Sequence, residues 1–121
     1  MMSAEKLAES VRTALSGQGA LREVKMFGGI GFMLNGNLIA GASRRGLLVR
    51  VGADRERQAL ARRGARPMRM RGRTLEGWIY VDPPALTPRA VAAWIDLALP
   101  YVLSLPPRAL PRRAPRAKKA K

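Results

Sequence analysis

The chain has 121 residues, of which 47% are hydrophobic, so it fits one globular domain of ordinary size with a modest core. Its 23 lysines and arginines outnumber eight acidic residues and give a net charge of +15, which favours nucleic acid, an anionic membrane or an acidic protein as partner. Cysteine and histidine are both absent, which excludes disulfides, thiol and imidazole catalysis and the usual zinc sites.

The amino-terminal segment predicts an amphipathic helix. Ser3 can cap a helix over residues 4–16, whose apolar residues recur at helical spacing, and Gly17 suits the left-handed conformation that ends it. Glu5 and Glu9 and the lack of a long apolar core exclude a secretory signal. No run of the chain approaches the ~20 apolar residues of a membrane span, so a soluble cytoplasmic protein is expected.

The next segment predicts a β-hairpin and a third strand. Residues 24–34 have the composition of a strand. Asn35 and Gly36 supply the two positive-φ positions of a type I′ turn, and residues 37–42 form the second strand of the hairpin. A second turn leads to a strand over residues 47–51. Because the connections are short, these three strands are predicted to form an antiparallel meander.

Four glycines lie in the first of these strands and raise the question of a phosphate-binding loop. A dinucleotide fingerprint needs a third glycine that opens a helix, whereas Leu34 stands at that position and the strand continues. The preferred interpretation is structural: Gly28 and Gly29 make an irregularity in the strand or admit a close-packed neighbour.

The middle of the chain predicts a short helix and two more strands. Asp54 can cap a helix over residues 55–63, which Gly64 closes. Residues 68–70 alternate as expected of an edge strand, and residues 75–81 are rich in aromatic and β-branched residues, as is typical of a strand.

The carboxy-terminal part predicts a helix followed by a tail. Thr87 and Pro88 are a capping residue and a first-turn proline, and the helix that follows has one apolar face, with a kink or break expected at Pro100. From residue 106 the composition becomes rich in proline, with seven basic residues and no acidic one, which predicts a disordered basic tail over 106–121. Residues 1–105 are the predicted domain.

The order of these elements predicts the fold class. It is α+β, with an antiparallel sheet of about five strands flanked by amino- and carboxy-terminal helices, in the order α-β-β-β-α-β-β-α.

Basic residues are the candidate binding groups. Residues 44–73 hold eleven arginines and two acidic residues, and a groove of arginines could follow a nucleic-acid backbone. The alternative is a solvated face partly paired with local acids. The tail could likewise bind DNA or RNA without sequence preference, or it could only improve solubility. The candidate residues for nucleic-acid binding are Arg44, Arg45, Arg62, Arg63, Arg69, Arg71, Arg73, Arg112, Arg113, Arg116, Lys118, Lys119 and Lys121.

Three aromatic residues could stack on bases but are assigned to the core. Trp78, Tyr80 and Trp94 lie on a predicted strand and a predicted helix whose patterns indicate burial.

No enzyme chemistry is predicted. The eight carboxylates are scattered and have no histidine or cysteine partner, so neither catalytic residues nor a cofactor is expected. An enzyme that uses Glu76 or Asp82 in an enclosed pocket is the weaker alternative.

Several segments resemble a known family. Residues 26–32, with the sequence MFGGIGF, then residues 35–36 and 47–51 look like the amino-terminal domain of the TfoX/Sxy proteins. In that family a Met-Phe-Gly-Gly strand leads through a hairpin to a Leu-x-x-Arg strand. Residues 72–81 are similar to the second half of the same domain, and together the matches cover roughly residues 3–105.

The resemblance implies an α+β sandwich and an association with the regulation of competence for DNA uptake. Longer members act as transcriptional co-activators alongside the cyclic-AMP receptor protein and carry a second, helical domain, where this sequence has the basic tail. The leading hypothesis is a non-enzymatic TfoX-like domain whose arginines and tail associate with DNA or RNA. The alternative is a protein-interaction module whose sheet docks an acidic partner, such as a transcription-regulatory protein.

Overall fold

The computed structural model describes residues 2–26 and 28–108, which form three α-helices and one six-stranded sheet. The helices are α1 (Ala4–Leu15), α2 (Glu56–Leu60) and α3 (Pro88–Ser104). The strands are β1 (Leu21–Met26), β2 (Gly29–Leu34), β3 (Asn37–Ser43), β4 (Gly46–Arg50), β5 (Ala65–Met70) and β6 (Arg73–Val81). Single turns of 3₁₀ helix lie at Ala53–Arg55 and Pro83–Ala85. The predicted α+β class and its two flanking helices are confirmed.

The sheet is antiparallel throughout, with the strand order β1-β2-β3-β4-β6-β5. The first four strands form a meander, and β6 then pairs with β4, which leaves β5 as the edge strand that the sequence predicted. The register aligns Leu48 of β4 with Tyr80 of β6, and Tyr80 with Arg66 of β5. The turn between β3 and β4 therefore lies beside the end of β6.

The strand predicted over residues 24–34 is in fact two strands. Gly28 has a φ of +75° and lies in a tight turn, after which Gly29 pairs back with Met26. A Cβ on Gly29 would collide with the carbonyl oxygen of Ala42, so this glycine admits the close approach of β3. The sheet consequently has six strands instead of the five or so expected.

Local signals at the β2–β3 hairpin and at the helix starts are confirmed. Asn35 and Gly36 have φ values of 53° and 84°, as a type I′ turn requires. Ser3 Oγ accepts a hydrogen bond from the backbone N–H of Lys6, and Thr87 Oγ1 accepts one from that of Ala90.

The prediction for α2 is wrong, and one of the two outcomes expected at Pro100 is excluded. Asp54 lies inside the 3₁₀ turn and does not cap α2, which covers only Glu56–Leu60 of the predicted 55–63. The carboxylate of Glu56 instead accepts a hydrogen bond of 2.8 Å from the backbone N–H of Gly77 on β6. At Pro100, where a kink or a break was expected, a break is excluded because α3 continues through the proline. Both Pro100 and Asp96, whose carbonyl loses its partner, are exposed, so water can replace the missing hydrogen bond.

The core lies between the helices and one face of the sheet. Helices α1 and α3 pack on each other and on β3 and β4, while α2 lies beside β5 and β6. Phe32, Leu47, Val49, Ile79 and Val81 of the sheet are fully buried against them. None of the helices in the described part of the chain is long and apolar enough to span a membrane.

The opposite side of the sheet, called here the open face, has no helix over it among the described residues. Successive strand residues alternate between the two faces, so the neighbours of Leu47 and of Ile79 belong to the open face. Its apolar residues are only partly buried and are Val24, Met26, Met33, Leu38, Leu48, Trp78 and Tyr80. The assignment of Trp78 and Tyr80 to the core was therefore wrong, whereas that of Trp94 is confirmed by its exposure of 3%.

The chain beyond α3 stays in contact with the sheet. The backbone N–H of Arg108 donates to the carbonyl oxygen of Asn35 over 2.9 Å. The side-chain amide of Asn37, a buried polar group, donates to the carbonyl oxygen of Pro106 over 3.1 Å. Residues 106–108 of the predicted tail thus lie on the β2–β3 turn, and its remaining part, 109–121, is outside the described residues.

Candidate nucleic-acid interface

A cleft of about 680 Å³ lies at one end of the open face, between the β3–β4 turn and strands β5 and β6. We call it the basic cleft, because four of its seven lining residues are arginines. Its lining consists of Arg44, Arg45, Arg66, Pro67, Arg69, Tyr80 and Pro83.

One wall of the basic cleft is the turn between β3 and β4. Ser43 Oγ accepts a hydrogen bond of 3.2 Å from the backbone N–H of Arg45, which stabilises the turn. Gly46 has a φ of +124°, and a Cβ there would collide with the carbonyl oxygen of Val81. The turn therefore lies tightly against the end of β6, and this position brings Arg44 and Arg45 into the cleft.

The other wall is the edge strand β5. Arg66 pairs with Tyr80, and the register then shifts between Pro67 and Arg69. Because of this irregularity Met68 is buried, while Arg66 and Arg69 both line the cleft. Pro67 has no backbone N–H to donate, which an edge strand tolerates.

The charge of the basic cleft is only partly neutralised. The Nε and Nη2 atoms of Arg66 lie 2.9 Å and 2.7 Å from Asp82 Oδ1. Within the described ranges, no carboxylate pairs with Arg44, Arg45 or Arg69, and all three are exposed. These three guanidinium groups are available to an anionic ligand.

A small apolar hollow of about 40 Å³ adjoins the basic cleft and shares Arg45 and Tyr80 with it. Its floor is the glycine-rich surface of β2 and β3, where missing side chains leave the strands bare. We call it the apolar hollow, and its lining consists of Met26, Gly29, Ile30, Gly41, Ala42, Ser43, Arg45, Leu48 and Tyr80.

At the far end of the open face, the side chain of Arg50 packs against two aromatic rings. The guanidinium carbon of Arg50 lies 5.0 Å from the ring centre of Trp78 and 5.5 Å from that of Tyr101. Arg50 therefore packs against aromatic rings, and no carboxylate in the described part of the chain pairs with it. For this residue, pairing with a local acid, which the alternative interpretation of the arginines allowed, does not hold.

The structure brings together only some of the predicted binding residues. Arg44, Arg45 and Arg69 share the basic cleft. Arg62 lies on the helix side of the sheet, with its guanidinium carbon 5.1 Å from the ring centre of Trp94. Three others are exposed outside the cleft: Arg63 after α2, and Arg71 and Arg73 at the β5–β6 hairpin. Six further candidates are outside the described residues: Arg112, Arg113, Arg116, Lys118, Lys119 and Lys121.

Two cleft residues, Arg66 and Tyr80, were not among the predicted binding residues. Simple alternation along β5 puts Arg66 and Arg69 on opposite faces, and only the register shift unites them. In β6 all four residues from Trp78 to Val81 are apolar or aromatic, so alternation could not show which pair faces outwards. The sequence therefore offered no signal for either residue, because the pairing of Arg66 with Tyr80 becomes visible only in the structure.

The carboxylates of the alternative enzyme hypothesis do not form a cluster. Asp82 is paired with Arg66, and Glu76 is exposed on β6. Among the described residues no three acidic side chains lie close enough together to hold a metal ion.

Comparison with known proteins identifies the domain. The sequence profile of the TfoX N-terminal domain matches residues 13–101, from the second half of α1 into the last turns of α3. The match includes both walls of the basic cleft and the whole sheet. No curated protein and no solved structure matches the chain significantly. The profile covers well over half of the chain, and the protein therefore belongs to the TfoX N-terminal domain family.

Proposed function

We propose that this protein is a non-enzymatic, cytoplasmic regulatory protein that associates with nucleic acid through the basic cleft. The observation that carries the proposal is the group of three exposed arginines, Arg44, Arg45 and Arg69, in one cleft without carboxylate partners in the described chain. The proposed context is the regulation of competence or transcription, which rests on the likeness to the TfoX/Sxy proteins. The basic residues of 109–121 add to the same attraction.

Guanidinium groups match this role for a chemical reason. Each can donate two parallel hydrogen bonds to the oxygens of one phosphate, and several in one cleft follow a backbone of repeated phosphates. Such contacts position nucleic acid without reading its sequence. The cleft is therefore expected to bind many sequences with similar affinity.

Electrophoretic mobility shift of the full chain at two salt concentrations tests the proposal. The probes are a DNA duplex, a DNA single strand and an RNA. Binding is expected near 50 mM salt. Association releases counterions, so raising the salt concentration to about 200 mM weakens binding; for three phosphate contacts the affinity falls roughly 20- to 40-fold. Absence of any complex at the lower salt concentration would exclude the proposal.

A second candidate function is a protein-interaction module for an acidic partner. The partly exposed apolar residues Leu38, Leu48 and Trp78 on the open face favour it, since apolar area beside unpaired arginines also suits an acidic protein surface. A Leu38→Asp variant separates the two functions, because Leu38 lies on the open face and lines neither the basic cleft nor the apolar hollow. The second function is supported if the unaltered chain binds an acidic protein and no nucleic acid, and if the variant no longer binds that protein.

A further inference from the structure

Tyr80 belongs to two adjoining surfaces of different chemistry. The basic cleft carries four arginines, whereas the apolar hollow has one, Arg45, beside Met26, Leu48 and glycine backbone. Tyr80 lines both. A ligand that covers this ring consequently meets cations on one side and an apolar surface on the other.

The strand register defines the direction of this change. Leu48, Tyr80 and Arg66 stand side by side on three neighbouring strands. Neighbouring strands are about 4.8 Å apart, so the surface changes within roughly 10 Å from apolar Leu48 to the guanidinium of Arg66, which is paired with Asp82. Arg44 and Arg45 extend the cationic side around the end of β6.

The ring of Tyr80 is also free to take a stacking partner. Trp78 and Tyr101 both have Arg50 over their rings, and Trp94 is buried beneath Arg62. Among the aromatic side chains that the structure describes, Tyr80 is partly exposed and has no cation over its ring.

We propose that this surface binds single-stranded nucleic acid, with a base stacked on Tyr80 and the adjoining phosphates on Arg44, Arg45 and Arg69. The inference rests on the proposed function and specifies its ligand. A single strand offers bases and phosphates side by side, as the two halves of the surface require. In a duplex the bases are paired inside and the phosphates lie outermost, so the apolar hollow and the Tyr80 ring would have no partner.

Fluorescence anisotropy with the full chain tests the inference. The probes are a labelled DNA single strand of about 12 nucleotides and the corresponding blunt duplex, at the same salt concentration. The single strand is expected to bind more tightly. Tyr80→Leu is expected to lower single-strand affinity about 10-fold and leave duplex affinity unchanged, because only the stacked base is lost. Tyr80→Phe keeps the ring and is expected to bind like the unaltered chain.

The outcomes distinguish this inference from the proposed function. If neither probe binds, the proposed function fails. If the duplex binds as tightly as the single strand, or if Tyr80→Leu weakens both equally, nucleic-acid association stands and the stacking inference is wrong.

A crosslinking measurement does not depend on the folding of any variant. A single strand that contains 4-thiouridine is irradiated with the unaltered chain, and the crosslinked peptides are mapped by mass spectrometry. Crosslinks are expected on the peptide that contains Tyr80. Crosslinks confined to residues 109–121 would overturn the inference.

Discussion

Gly36 and Gly72 occupy the same position in two hairpin turns, but their surroundings differ. Gly36 has a φ of +84° and Gly72 one of +77°, and each follows a non-glycine residue with positive φ. A Cβ on Gly72 would meet nothing within 4 Å, whereas one on Gly36 would collide with the carbonyl oxygen of Arg108. Among the contacts that an added Cβ would make, the two positions thus differ in whether the chain beyond α3 lies against them.

Replacement of these glycines by alanine measures that contact. Gly72→Ala is expected to cost about 1–2 kcal/mol of unfolding free energy, because alanine is strained at positive φ. Gly36→Ala is expected to cost clearly more, because it also displaces residues 106–108. Urea unfolding of both variants measures the difference, and equal losses would mean that 106–108 do not pack on the β2–β3 turn.

Single residues also decide how the surface of β6 is divided. Ile79 and Val81 are fully buried, while the larger Trp78 and Tyr80 are partly exposed. Size and hydrophobicity favoured the aromatic residues as core, but the helices pack on the branched aliphatic side. The sequence could identify this strand and not its orientation, since either pair is apolar enough to face inwards.

At the scale of elements, α1 is joined to the first strand by an ion pair. Arg12 Nη2 lies 2.8 Å from Glu23 Oε1, and Arg12 Nε donates to the other carboxylate oxygen. The hydrogen bonds from Arg12 lower the pKa of Glu23 below its ordinary value of 4.5. Since the carboxylate is favoured in the folded state, the pair stabilises the fold above that pH and loses its effect as the pH falls through the lowered pKa.

The pair predicts a specific dependence of stability on pH. Arg12→Gln and Glu23→Gln are each expected to unfold more easily than the unaltered chain at neutral pH, and the gap is expected to narrow as the pH falls below 4.5. The double variant is expected to be no worse than either single variant, because they remove the same interaction. A gap that stays constant down to strongly acidic pH would contradict the assignment.

The elements also show which parts of the fold local sequence can predict. Ser3, Thr87 and the Asn35-Gly36 turn act within a few residues of themselves, and the structure confirms each of them. The division of the predicted strand at Gly28 could not be predicted, because apolar residues continue on both sides of the turn. The register shift in β5 depends on its pairing with β6, which local sequence does not reveal.

Across the whole molecule, some arginine side chains pack on other parts of the fold, whereas others are exposed to solvent. Arg50 and Arg62 stack on aromatic rings, and Arg55 Nη1 donates to the carbonyl oxygen of Leu97 over 3.0 Å. These side chains stabilise contacts between elements, although sequence composition makes them look like the others. The net charge alone therefore overstates the number of groups available to a ligand.

The position of the unpaired arginines matters more than their number if the basic cleft binds nucleic acid. Two triple variants with the same net charge separate these effects. The cleft variant carries Arg44→Ala, Arg45→Ala and Arg69→Ala. The control variant carries Arg57→Ala, Arg63→Ala and Arg89→Ala, three exposed residues outside the cleft lining.

The affinity of these two variants for a labelled DNA single strand, measured by anisotropy over a series of salt concentrations, is the most direct test. The cleft variant is expected to bind more weakly than the control. Its plot of log affinity against log salt is expected to be less steep than that of the unaltered chain, by about 2 in slope, because three phosphate contacts are lost. The control is expected to keep nearly the slope of the unaltered chain. Equal affinities and equal slopes for the two variants would show that net charge, and not the basic cleft, holds the nucleic acid.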